Sequence, residues 1–196
     1  MTDEKRPYRM NKRRELQQAT RLRITESAVE LHGTLGPART SMSAVAEHAG
    51  VRRSTLYRYF ADEAELFEAC SNHWSHQYPV PDFEGWATIR DLQERLRTGL
   101  LELYAYYARA ERMLTNIFRD LDSMDVVKQQ FEPFTHYLDA LQKTLLAGHV
   151  KRGRRAVHVR AAIGHATAFT TWHSLVREQG LTPAEAVEMM CKLTYA

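Results

Sequence analysis

Between Arg53 and Phe60 the chain reads Arg-Ser-Thr-Leu-Tyr-Arg-Tyr-Phe, and most of these side chains hydrogen-bond. On a helix, Leu56 and Phe60 lie four apart and can face a core, which leaves Arg53, Ser54, Thr55, Tyr57, Arg58 and Tyr59 around the outside. Hydroxyl and guanidinium groups in that density suit phosphates and base edges, and arginine can fork onto O6 and N7 of guanine. An isolated amphipathic helix would present a polar side only to water, so the surrounding motifs must decide. The nine histidines are the other candidates for chemistry. His73 and His76 stand three apart and His158 and His165 seven apart, with no carboxylate at ligand spacing, and there is no HExxH, nucleophile elbow or phosphate-binding glycine loop. The expectation is a protein that is not an enzyme and uses no metal or cofactor.

Holding that outer face in place takes other elements, and apolar spacings of three and four run through every long segment. A first helix is expected over about Glu15–Leu35, with Ile24, Ala28 and Leu31 on one face, ending before Gly36-Pro37. Thr40, Ser41 and Ser43 offer capping oxygens to a second helix whose apolar face is Met42, Val45, Ala46 and Ala49. Gly50 stops it, Val51 plugs the corner, and the third helix follows, which is helix-turn-helix geometry. Asp62 and Glu65 form a capping box for a fourth helix to about Gln77, and Pro79 and Pro81 break it. Further helices are expected at about Thr88–Ala110, Arg112–Asp120, Asp125–Ala147, Arg154–Gln179 and Pro183–Thr194. The fold class is all-α: a three-helix head and a C-terminal helical bundle. The expected domains are a basic arm over 1–14, disordered without a partner, the head over 15–60, a connecting helix and linker over 61–85, and a ligand-binding and dimerisation bundle over 86–196.

Composition fits that division. The net charge of +3 hides an asymmetry: residues 1–60 carry twelve Lys or Arg against six Asp or Glu, and the remainder carries fifteen against eighteen. A basic head on a mildly acidic body points to a polyanionic partner for the head alone. No apolar run approaches a membrane span, and the charged start lacks the apolar stretch of a secretory signal, so the cytoplasm is the expected compartment. Cys70 and Cys191, each inside an apolar helical pattern, read as small buried hydrophobes.

The order Arg21-Leu22-Arg23-Ile24 through Ala28, Leu31 and Gly36, then Thr40-Ser41-Met42, Ala46-Glu47-His48-Ala49-Gly50-Val51 and Thr55-Leu56-Tyr57-Arg58-Tyr59-Phe60 resembles the DNA-binding domain of the TetR family of transcriptional regulators. The resemblance implies Leu56 packed inward and Arg53, Ser54, Thr55, Tyr57, Arg58 and Tyr59 at the major groove or its phosphates, with Ser41 and Ser43 at phosphates beside it. Arg53 and Ser54 are assigned to base reading and Tyr57 and Tyr59 to backbone positioning. The chain departs from the family pattern after Phe60, where a phosphate-binding lysine is usual and Asp62-Glu63-Ala64-Glu65 stands instead. Arg9, Lys12, Arg13 and Arg14 are then candidates for an arm on the minor groove or nearby phosphates.

The stretch from Ala161 through Trp172, Leu175 and Val176 to Ala186 resembles the C-terminal body of such regulators, which implies a homodimer paired through its last two helices. Double-stranded DNA bearing an inverted repeat is the expected partner, because two reading helices must enter grooves about 34–36 Å apart. An unknown small-molecule effector is expected in the body, with Tyr107, Phe118, Phe134, Tyr137, His165 and Phe169 as its lining. The expected function is a repressor released from its operator by a small apolar ligand. The alternatives are a DNA-binding dimer with no ligand, and an activator.

Overall fold

A computed structural model describes the backbone of residues 5–149 and 152–195 and the side chains from Asn11 onward. The chain divides into two units, Met1–Gln77 with Thr115–Gln130, and Tyr78–Leu114 with Phe131–Ala196. The elements are α1 (Lys5–Thr34), α2 (Met42–His48), α3 (Arg53–Tyr59), α4 (Glu63–Gln77), α5 (Leu92–Asp120), α6 (Asp125–Leu146), α7 (Arg154–Ala166), α8 (Phe169–His173) and α9 (Pro183–Tyr195). No strand occurs among the described residues.

In the first unit the apolar positions of α1 to α4 meet in one core of Ile24, Ala28, Val45, Ala46, Ala49, Leu56, Phe60, Leu66 and Cys70. Each contributes at helical spacing, so four helices, two of them only seven residues long, are held by shared burial rather than by their own propensity. Asp62 accepts from the Glu65 amide at 2.9 Å, while Glu65 reaches back to the amide of Ala61 at 2.9 Å, so the acidic start of α4 caps its own helix.

The second unit is built on α5 and α6, with Leu96, Leu100, Leu103, Tyr104, Tyr106 and Tyr107 of α5 and Leu141 and Leu145 of α6 all buried. Ile163, Trp172 and Val187 of α7, α8 and α9 complete this core. Arg95 is buried without a carboxylate partner and is satisfied by backbone: it donates to the carbonyls of Ile89 at 2.6 and 2.9 Å, Ala147 at 2.6 Å and Thr144 at 3.3 Å. It thereby caps the last carbonyls of α6, groups that no helical amide can reach.

Several expectations need correcting. The first helix begins at Lys5, ten residues before Glu15. The first unit takes in α4 and residues 115–130 besides the expected head. Trp86, placed in the linker, is 3% exposed on a short 3₁₀ turn, where its ring meets Phe83. The expected helices Thr88–Ala110 and Arg112–Asp120 are one helix, α5, since nothing between them breaks it.

Conversely, the single helix expected over Arg154–Gln179 is three pieces. It ends at Ala166, Ala168 is extended (φ −73°, ψ 136°), and α8 runs on into a π-helical turn over Ser174–Glu178. The break is stabilised by Thr167, whose hydroxyl donates to the Ile163 carbonyl at 2.9 Å and accepts from Gln142 at 2.9 Å. Trp172 is fully buried within the chain.

Candidate nucleic-acid interface

The corner before α3 follows from local sequence. Val51 donates its amide to the Ala46 carbonyl at 2.9 Å and Gly50 to that of Glu47 at 3.0 Å, a helix-ending motif that needs a left-handed residue. Gly50 supplies it at φ 63°. The hydroxyl of Ser41 starts α2 by accepting from the Ala44 amide at 3.1 Å. Leu56 and Phe60 are both 0% exposed, which pins α3 by one side.

All eight residues singled out for DNA lie in this unit. Ser41, Ser43, Arg53, Ser54, Tyr57 and Arg58 are exposed, whereas Thr55 and Tyr59 are half-buried. Arg53 donates to the Tyr57 hydroxyl at 3.3 Å with its guanidinium 5.5 Å from that ring, and Arg58 lies 5.6 Å from the ring of Tyr59. Each arginine therefore rests on a tyrosine one helical turn or one residue away, which restricts its rotamers while leaving donors free for an anion. Ser41 already serves α2 as a cap, so only its remaining lone pair and its proton are open to a partner. Lys12, Arg13 and Arg14 are exposed on α1, and the side chain of Arg9 lies outside the described residues.

Arg21 was read only as part of a motif, and its contacts are more specific. It donates to the Tyr59 carbonyl at 2.8 Å, lies 4.3 Å from the Phe60 ring, and pairs with Glu65 at 3.4 Å. It therefore satisfies a carbonyl at the end of α3 and neutralises one of the carboxylates that follow it.

Asn116, Arg119 and Asp120, at the end of α5, were not anticipated at all. Asn116 donates to the carbonyls of His32 at 3.1 Å and Gly33 at 2.8 Å, and Arg119 to that of Leu35 at 2.9 Å. Arg119 also grips Asp120 through two hydrogen bonds of 2.7 and 2.9 Å, and Asp120 accepts from the Ala38 amide at 3.0 Å. The Arg119 hydrogen bond holds the Asp120 carboxyl below its ordinary range. Together these side chains cap the end of α1 and the turn at Gly36, whose φ is 97° and where a Cβ would collide with the Arg119 guanidinium. Beside them His32 is buried and stacked on Phe67 at 4.5 Å, and burial lowers its pKa to about 4.

The residues named as an effector lining separate into three groups. Tyr107, Phe134, Tyr137 and Phe169 belong to one aromatic cluster of the second unit. Within it Tyr107 meets Phe169 edge-on at 5.4 Å, Phe134 stacks on Tyr137 at 5.9 Å, and Tyr106 bridges the pairs at 5.8 Å from Tyr107 and 6.0 Å from Phe134. His165 is exposed and lies apart from these rings, at 3.2 Å from the Thr171 hydroxyl, in an open cleft of about 350 Å³ shared with Leu175, Met189 and Leu193. Phe118 falls in the first unit. Among the described residues no group of three or more His, Cys, Asp or Glu could hold a metal ion, and no helix is long and apolar enough to cross a membrane.

Comparison with known proteins agrees with this geometry. Residues 24–70 match the family model described as bacterial regulatory proteins, tetR family. The chain is 27% identical over 181 residues to the HTH-type transcriptional regulator TtgR of Pseudomonas putida, covering 88% of this chain and 85% of that protein. Its fold is that of a TetR-like transcriptional regulator from Rhodococcus sp. RHA1 (TM-score 0.64, 18% identity, 90% and 93% of the two chains). It is also that of FadR from Bacillus subtilis, solved with stearoyl-CoA (TM-score 0.61, 18% identity, 88% and 96%), and of NalD, the secondary repressor of the MexAB-OprM efflux pump in Pseudomonas aeruginosa (TM-score 0.59, 21% identity, 92% and 96%). The tetR family model thus lies over α1 to α4, and over nearly its whole length the chain has the fold of TetR-like regulators.

Proposed function

We propose that the protein is a homodimeric repressor that acts in the cytoplasm and leaves an inverted-repeat operator when a small, largely apolar molecule binds its body. The observation that carries the DNA half is α3, pinned by two fully buried side chains and carrying Arg53, Ser54, Tyr57 and Arg58 exposed beside Thr55 and Tyr59. Arg53 and Ser54 read base edges, Tyr57, Arg58 and Tyr59 position the backbone, and Ser41 and Ser43 meet phosphates. Lys12, Arg13 and Arg14, on an α1 that runs ahead of the core, add phosphate contacts with Arg9.

Dimerisation is supported by Met189 and Leu193, which leave apolar surface on α9 at 40% and 61% exposure beside the open cleft. Release follows if the ligand prefers a body that holds the two heads at another spacing. A decisive shift needs about 5 kcal/mol of preference between the two states. That TtgR and NalD are named as regulators, and that FadR was solved with stearoyl-CoA, supports a ligand-responsive body of this kind.

The test is selection of random duplex DNA by the native protein beside an Arg53→Ala, Tyr57→Phe variant at one stated salt concentration. Recovery of an inverted repeat that the variant fails to enrich is the expected result. Absent or sequence-independent binding by the native protein overturns specific repression. A compound screen for release of the recovered operator then tests the effector.

A further inference from the structure

Four tyrosines of the second unit sit in or beside its aromatic cluster, and three of them have found acceptors. Tyr104 donates to the Ala166 carbonyl at 2.9 Å, Tyr107 to that of Thr167 at 2.6 Å, and Tyr137 to that of Pro81 at 2.9 Å. The fourth, Tyr106, is 0% exposed and its hydroxyl has no hydrogen-bond partner among the described residues. The same holds for the indole N–H of Trp172, which is also fully buried. Both rings pack against Tyr107, at 5.8 and 5.9 Å, so the two unmatched donors flank one residue.

Buried donors without acceptors are rare in folded proteins because they lose water and gain nothing. Here they are two, neighbours through a shared ring, in a cluster whose other hydroxyls are all served. Local backbone is irregular on both sides of them. Trp172 is followed after one residue by the π-helical turn at Ser174–Glu178, a feature that widens a helix and concentrates at functional sites. Phe134, which covers Tyr106 at 6.0 Å, follows Pro133, and that proline removes an amide donor from the interior of α6. Phe134 and Tyr137 are themselves half-buried, so the outer layer of the cluster is partly in contact with solvent.

We propose that the aromatic cluster takes an uncharged aromatic molecule bearing a hydrogen-bond acceptor such as a ketone or ether oxygen, and that the Tyr106 hydroxyl and the Trp172 indole are the donors that receive it. This rests on the reading of the body as an effector site and narrows the effector's chemistry. The rings supply apolar contact surface, and both unmatched groups donate, so the ligand must accept. The rings themselves carry no charge; Arg109 acts on the Tyr106 hydroxyl, and Glu102 and Asp82 act on that of Tyr137 in the outer layer of the cluster.

Benzophenone and diphenylmethane differ only in that the first has a carbonyl where the second has a methylene, and they serve as probes. Their dissociation constants are measured by calorimetry for the full chain, for Tyr106→Phe and for Trp172→Phe. Tyr106→Phe removes one oxygen and preserves the ring, so it is the variant that keeps the fold. Benzophenone is expected to bind the native chain at least tenfold more tightly than diphenylmethane, and Tyr106→Phe is expected to cut that ratio at least threefold through benzophenone alone. Equal binding of the two probes, or a ratio that Tyr106→Phe leaves unchanged, overturns the donor assignment and leaves the effector reading standing. Failure of both probes to bind also overturns it, and the effector reading then falls only if the screen for operator release finds nothing.

Discussion

The guanidinium of Arg21, in the middle of α1, donates to the backbone carbonyl of Tyr59, 38 residues later at the end of α3, at 2.8 Å. The bond ties α3 to α1, and the stacking of Arg21 on Phe60 keeps it there. Helix-ending carbonyls have no helical partner, so this one donor orients α3 as well as satisfying it.

Replacing Arg21 with Met keeps the apolar stem and removes the tie. Affinity for the selected operator is expected to fall about tenfold, equivalent to about 1.4 kcal/mol, with a stability loss of about 1 kcal/mol. Fluorescence anisotropy on labelled duplex and urea unfolding measure the two effects. Unchanged affinity would remove Arg21 from any role in setting α3.

Two glycines with positive φ separate strain from packing. Gly50→Ala meets nothing within 4 Å and should cost about 1 kcal/mol in backbone strain alone. Gly36→Ala adds a collision with Arg119 and should cost more, on the order of 3 kcal/mol, because Arg119 must leave both Leu35 and Asp120. Equal losses in thermal unfolding would show that the Arg119 cap yields easily.

His32 gives a pH dependence with a definite sign. Burial lowers its pKa to about 4 from the ordinary 6.5. Between those values the unfolded chain binds a proton that the folded chain refuses, so stability is full above pH 6.5 and falls as pH drops toward 4, by up to about 3 kcal/mol. Asp120, with a lowered carboxyl, acts with the same sign at lower pH: its contribution is present above its unfolded pKa and fades as pH falls below it. His32→Phe should flatten the urea midpoint between pH 7 and 4.5. A native midpoint that does not move over that range contradicts the assignment.

Adjacent tyrosines on α5 should respond with opposite signs. Tyr107→Phe breaks a 2.6 Å bond to Thr167 at the break between α7 and α8 and should destabilise the protein by about 1–2 kcal/mol. Tyr106→Phe removes a buried hydroxyl that has no partner among the described residues and should raise stability by up to about 1 kcal/mol. Melting temperatures of the two variants compare directly, and a loss for Tyr106→Phe would mean that its hydroxyl has found an acceptor.

What could be read from the sequence is what local chemistry determines. Gly50 before Val51, the four-residue step from Leu56 to Phe60, and the Asp62–Glu65 box each announce themselves within a few residues, and the structure places all three as their spacing requires. The start of α1 was misjudged because a dense basic run reads as solvated chain, although Lys and Arg are good helix formers once a helix exists to extend. The break at Thr167 has no glycine or proline to mark it and depends on Gln142 and Tyr107, distant in sequence. Asn116, Arg119 and Asp120 act on residues 82 to 84 positions away, and no periodicity carries that information. In the body, aromatic spacing identified Tyr107, Phe134, Tyr137 and Phe169 as neighbours, but it could not distinguish Tyr106, whose hydroxyl lacks a partner among the described residues, from its served neighbours.

Arg95 closes the end of α6, and every acceptor it uses there is a backbone carbonyl, a group that does not titrate. That fastening is indifferent to acid, whereas the packing of His32 against Phe67 is not. Mild acidification therefore loosens the protein unevenly, beginning in the unit that holds α1 to α4. Hydrogen exchange near pH 5 should find the amides around His32 opening sooner than those that follow Arg95.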